Sequence, residues 1–72
     1  MFMPLTLAKT GEEVIVQRVG GKEDTRLYLE SMGFVPGTKV TVVSEIQGNL
    51  IIMVRETRIA LGKDLANKII VK

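Results

Sequence analysis

The side chains able to do chemistry are few in this sequence, and two types are missing. No Cys and no His occur among the 72 residues, which excludes a thiol nucleophile, a zinc finger and an imidazole-bound transition metal. Two adjacent carboxylate pairs, Glu12-Glu13 and Glu23-Asp24, have oxygen atoms suited to a hard cation. Neighbouring side chains on a strand point in opposite directions, so we interpret both pairs as solvated turns. We therefore predict no metal site, no cofactor and no enzymatic activity.

Basic side chains are concentrated towards the C-terminus. Residues 55–72 contain five Lys or Arg against two carboxylates, whereas residues 1–54 contain five against six. Such charges usually form a solvated rim, but arginine is enriched at protein interfaces. Arg55 and Arg58 are therefore candidate partner-binding residues.

The net charge of +2 also permits a nucleic-acid-binding barrel, which is the alternative function. Barrels of that kind stack bases on several aromatic rings, and only Phe2, Tyr28 and Phe34 occur here. We therefore expect no nucleic-acid partner. A groove for proline-rich peptides would need the same missing aromatic lining.

The hydrophobic pattern predicts one all-β domain over residues 1–72. Nine Val and seven Ile favour strands. Alternation and turn residues predict strands at about 13–19, 38–45, 50–54, 58–61 and 69–71, a helix at 24–32 capped by Asp24, and a helical turn starting at Asp64. About five short antiparallel strands with one short helix are best arranged as a small β-barrel, whose closure removes the exposed strand edges.

Three turn residues follow from local backbone chemistry. Gly33 ends the helix as a residue that must adopt positive φ, and Phe34 is then placed over Leu29 in a Schellman motif. Pro36 and Gly37 fit the two central positions of a type II turn. We interpret these residues as structural.

The segment Leu50–Val54 is apolar on both faces, which a barrel with one interior cannot accommodate. Ile51 and Met53 alternate with Leu50, Ile52 and Val54, so one set must point outward. Either the helix or the N-terminal Met1-Phe2-Met3 segment covers that set, or a partner or a second copy in a weak homodimer does. Ile51 and Met53, together with Leu27 and Tyr28 on the helix, complete the candidate partner-binding residues.

No apolar run reaches the length of about 18 residues that a membrane span requires. The first residues, Met1-Phe2-Met3-Pro4, also lack the features of a signal peptide. We expect a cytoplasmic protein with no direct membrane insertion.

A specific block of residues resembles a known family. Arg26, Leu29, Met32-Gly33-Phe34 and Pro36-Gly37, followed by an alternating Val strand and by Ile59-Ala60-Leu61, Leu65-Ala66 and Ile69, are similar to the FeoA family over about residues 5–72. The resemblance implies an SH3-like barrel and an accessory role in bacterial ferrous iron uptake. It also implies a partner, the cytoplasmic GTP-binding region of the FeoB membrane transporter.

Overall fold

The chain forms six strands and two helices, and the computed structural model describes all of residues 1–72. The strands are β1 (Met3–Pro4), β2 (Glu13–Val19), β3 (Lys39–Ile46), β4 (Asn49–Val54), β5 (Thr57–Gly62) and β6 (Ile69–Val71). The helices are α1 (Glu23–Ser31) and the four-residue α2 (Lys63–Ala66), and a 3-10 turn spans Leu5–Leu7. The predicted class, mostly antiparallel β with one short helix, is confirmed.

Two antiparallel sheets share β2, and the strand order is β1-β6-β2-β3-β4-β5. The first half of β2 pairs with β3, from Glu13 to Ile15, and its second half pairs with β6, from Val16 to Val19. A register shift between Val16 and Arg18 separates the two halves. Because a bulge bends a strand and increases its twist, β2 can pass from one sheet to the other around a single core.

The core is purely apolar. Fifteen buried hydrophobic side chains form one cluster, and no polar side chain is buried. Leu29 of α1 and Phe34, just after it, are both fully buried. Stability therefore depends on apolar packing together with the 46 backbone hydrogen bonds.

The exit of α1 has the geometry of a Schellman motif. Phe34 N–H donates to the Leu29 carbonyl over 3.2 Å, and Gly33 N–H donates to the Glu30 carbonyl over 2.9 Å. Gly33 has a φ of +107°, which a residue with a Cβ adopts only under strain. A Cβ on Gly33 would also lie 2.8 Å from Val54 Cγ1. The helix end can approach β4 only because residue 33 has no side chain.

The turn after Phe34 is tied to β2. Gly37 has a φ of +93°, and Thr38 N–H donates to the Val35 carbonyl over 3.1 Å, as in a type II turn with Pro36 at its first central position. Gly37 N–H in turn donates to the Val16 carbonyl over 2.8 Å. Gly33, Pro36 and Gly37 thus orient the chain between α1 and β3.

Both hairpins that flank β4 have two-residue turns with positive φ at both positions. Gln47-Gly48 joins β3 to β4 with φ of 50° and 82°, and Arg55-Glu56 joins β4 to β5 with φ of 49° and 66°. This is the type I′ geometry that matches the twist of the strands. Arg55 and Glu56 adopt it without the usual Asn or Gly, so the tertiary structure must hold them there.

Three details of the sequence prediction need correction. The strand count is six, because Met3–Pro4 pairs with β6 as a short additional strand. The barrel is not closed by strand pairing, since β1 and β5 each have only one strand neighbour, and α2 lies in contact with both β5 and the 3-10 turn. Finally, the N-cap of α1 is Lys22, and Asp24 lies in the first turn, where its charge complements the helix dipole.

We predict that Gly33→Ala destabilises the domain much more than Gly37→Ala. Both positions have positive φ, which costs a residue with a Cβ about 1–2 kcal/mol. A Cβ at Gly37 would meet nothing within 4 Å, whereas a Cβ at Gly33 would clash with Val54. Chemical denaturation of both variants measures the difference, and equal losses of unfolding free energy would show that the approach to Val54 is not tight.

Candidate docking surface

The structure shows which apolar side chains of β4 are buried in the core. Leu50, Ile52 and Val54 are at most 3% exposed, so Ile51 and Met53, which alternate with them, lie on the opposite face. Both are half-buried, and neither belongs to the core or to the hydrophobic residues packed against it. We call this side of β3, β4 and β5 the outer face.

The protein's own helix and N-terminal segment are engaged elsewhere. α1 packs against β2 and inserts Leu29 into the core. Met3–Pro4 pairs with β6, far from β4 in the strand order, while Met1 and Phe2 are 98% and 63% exposed. Of the two covers that the sequence left open, neither the helix nor the N-terminal segment makes an extensive contact with β4.

Strand register arranges the outer face in rows. Glu13, Thr41, Met53 and Arg58 are successive partners across four strands, which places Met53 between a hydroxyl and a guanidinium side chain. In the neighbouring row Ile51 lies between Ser44 and Ala60. The result is an apolar centre with charged groups at its margin, the usual anatomy of a protein interface.

Two further isoleucines extend this apolar surface, and neither is among the partner-binding residues predicted from the sequence. Ile46 is 56% exposed and pairs with Asn49, and Ile15 is 38% exposed and pairs with Lys39. Simple alternation from Val40 and Val42 would place Ile46 inside. A register shift between Val42 and Ser44 reverses the alternation, so Ile46 faces outward.

Arg55 and Arg58 are both exposed, and neither forms an ion pair. The ion pair that is present joins Lys63 Nζ to Glu45 Oε2 over 2.8 Å, with both side chains about half exposed. Arg55 also has a structural contact, because its Cδ and Nε would lie 3.4 and 3.5 Å from a Cβ on Gly33. Arg58 is therefore the freer of the two for binding a partner.

Leu27 and Tyr28 form a separate exposed surface on α1. They are 52% and 55% exposed, next to the fully buried Leu29. Because α1 packs against β2, while Ile51 and Met53 belong to β4, the structure separates the predicted partner-binding residues into two surfaces.

The structure contains no pocket and no group of three or more Asp and Glu side chains close enough to hold a metal ion. Glu12 and Glu13 are exposed at the start of β2, and Glu23 and Asp24 are exposed at the start of α1. Neither helix has the length and apolar character needed to cross a membrane.

The comparison with known families agrees with this architecture. The FeoA domain matches residues 3–72, nearly the whole chain. The chain belongs to the FeoA family. An Fe(2+) transport protein A of Methanocaldococcus jannaschii is 41% identical over 69 residues, covering 96% of this chain and 84% of that protein.

Solved structures of the family have the same fold. An iron uptake regulatory protein (FeoA) superposes with a TM-score of 0.90 at 38% identity, covering 100% of this chain and 96% of that one. The Stenotrophomonas maltophilia FeoA complexed with zinc, an SH3 domain protein, has a TM-score of 0.86 at 25% identity, covering 97% and 89%. The predicted SH3-like fold and FeoA membership are both confirmed.

We predict that Met53→Asp leaves the FeoA domain folded, whereas Ile52→Asp unfolds it. Ile52 is fully buried, and an unpaired buried carboxylate costs more than the roughly 3–5 kcal/mol that a domain of this size has available. An aspartate at position 53 would be half-exposed beside Arg58, so its cost should stay within about 1 kcal/mol. Circular dichroism melts of the two variants provide the measurement, and unfolding of both would contradict the outward position of Met53.

We also predict that divalent metal does not change the stability of the domain. The only carboxylate pairs are exposed neighbours, and structural metal sites in small domains depend on Cys and His. Thermal melts with and without Fe²⁺ under anaerobic conditions should coincide. A stoichiometric site found by calorimetry, and lost in Glu12→Gln or in Glu23→Gln, would contradict this prediction.

Proposed function

We propose that this protein is a cytoplasmic, non-enzymatic accessory protein of ferrous iron uptake. It binds the cytoplasmic GTP-binding region of a FeoB-type membrane transporter and thereby modulates iron transport. FeoA membership supports the link to iron transport, and the partner follows from the family resemblance.

The single observation that carries this proposal is the composition of the outer face. Ile51 and Met53 are apolar, partly exposed and outside the core, and they lie beside the unpaired Arg58. Apolar centres of this kind provide most of the binding energy at protein interfaces, and charged margins increase the association rate. A pocket-free surface with this arrangement suits protein binding better than small-molecule chemistry.

The aromatic residues weigh against nucleic-acid binding. Of the three aromatic side chains, Phe34 is fully buried in the core, which leaves Phe2 and Tyr28 exposed. Phe2 lies at the N-terminal end and Tyr28 on α1. Base-stacking surfaces need several aromatic rings along one groove.

We predict that Met53→Asp abolishes binding to the purified cytoplasmic region of the cognate FeoB, measured by titration calorimetry. The charge would disrupt the apolar centre of the interface without unfolding the protein. Met53→Leu is the matched control, because it keeps the apolar surface and should bind normally. Leu27→Asp probes the second surface on α1 and should bind like the unmodified protein.

A charge reversal at Arg58 tests the charged margin of the outer face. Arg58→Glu should slow association and change its salt dependence more than it changes dissociation, because rim charges act mainly by steering. If Leu27→Asp abolishes binding and Met53→Asp does not, the docking surface is the Leu27-Tyr28 side of α1. If the unmodified protein does not bind the FeoB region at all, the proposed partner is wrong.

A further inference from the structure

The free edge of β5 presents unpaired backbone groups. The two-residue turn makes Val54 and Thr57 a hydrogen-bonded pair, so Thr57, Ile59 and Leu61 direct their N–H and C=O groups towards β4. The intervening residues Arg58 and Ala60 direct theirs away from the sheet, and no strand pairs with β5 on that side. Both residues are exposed.

The β5 edge is less protected against strand addition than the β1 edge at the other end of the sheet. The opposite edge strand, β1, is only two residues long and includes Pro4, which has no N–H to donate. β5 has six residues, contains no proline and pairs with β4 without a register shift. Proteins commonly block such edges, so an open and regular one is a template for strand addition.

The charge around β5 indicates what kind of strand it would accept. Arg55 and Arg58 form no ion pair, and Lys63 at the far end of β5 is already paired with Glu45. Residues 55–63 contain three basic side chains and one carboxylate, Glu56. Two copies of this segment paired edge to edge would repel each other, whereas an acidic strand would be attracted.

We infer that the free edge of β5 binds an extended acidic segment of another protein by antiparallel strand addition. A carboxylate on that segment lies opposite Arg58 on the outer face. Apolar side chains lie opposite Ala60 and beside Ile59, which is packed against the core. Because the added strand runs antiparallel to β5, its sequence contains two apolar residues followed by a carboxylate. Once bound, it enlarges the outer face by one strand.

The test uses the full chain and a defined probe, the capped peptide Thr-Val-Val-Ile-Glu-Thr. Saturation with this peptide should slow hydrogen exchange of the Arg58 and Ala60 amides, measured by NMR on ¹⁵N-labelled protein. The same peptide with Lys in place of Glu should bind about fivefold more weakly or worse, because it replaces an attractive cross-strand pair with a repulsive one.

Ala60→Pro removes the outward N–H without removing a hydrogen bond to β4, as proline on an edge strand allows. This variant should remain folded and lose peptide binding, whereas Ala60→Val, which keeps the N–H, should bind. If the proline variant does not fold, N-methylation of Ala60 in a chemically synthesised chain removes the same N–H.

Three outcomes would overturn the inference. The Arg58 and Ala60 amides could stay unprotected at saturating peptide. The peptide could bind the variant without the Ala60 N–H as well as it binds the unmodified chain. The unmodified chain could bury these amides by forming a dimer, detected by sedimentation, which would make a second copy the occupant of the edge.

Discussion

The close approach of Gly33 to Val54 is the constraint on which most of the structure depends. Residue 33 must have positive φ to end α1 and must lack a Cβ to fit against β4. With both conditions met, Leu29 and Phe34 insert into the core at the end of the helix. The same approach places the Arg55 side chain across the helix exit. A domain without buried polar side chains or disulfides has few other contacts that could position its nine-residue helix.

Because the helix occupies the end of the core, it does not cover β4 from outside. The interior is filled by alternate residues of the strands, and β4 has more apolar side chains than one face can bury. Ile51 and Met53 consequently remain on the outer face, where Ile15 and Ile46 enlarge the apolar area. Leaving large apolar side chains at the surface is a common feature of interaction sites.

The sheet is open, and its free edge lies next to the outer face. A barrel closed by strand pairing would have no edge, but here the ends of the sheet are connected through α2 and the 3-10 turn, with a hydrogen bond from the Thr6 hydroxyl to Asn67 Oδ1. The outer face and the free edge of β5 adjoin each other, since Arg58 and Ala60 place their side chains on the first and their unpaired backbone groups along the second. One partner could therefore use both.

Local chemistry was enough to determine the helix exit, the Pro36-Gly37 turn, the strand alternation and the excess of apolar residues in β4, because each depends on residues close together in the sequence. The family resemblance supplied the SH3-like fold. Tertiary structure alone decided which face of β4 is buried, because that depends on which side of the strand packs against the other elements of the core. It also decided the outward position of Ile46, since the register shift after Val42 arises from pairing with β4 and leaves no mark in the hydrophobic pattern. The unpaired edge of β5 likewise follows from strand order, which joins residues distant along the chain.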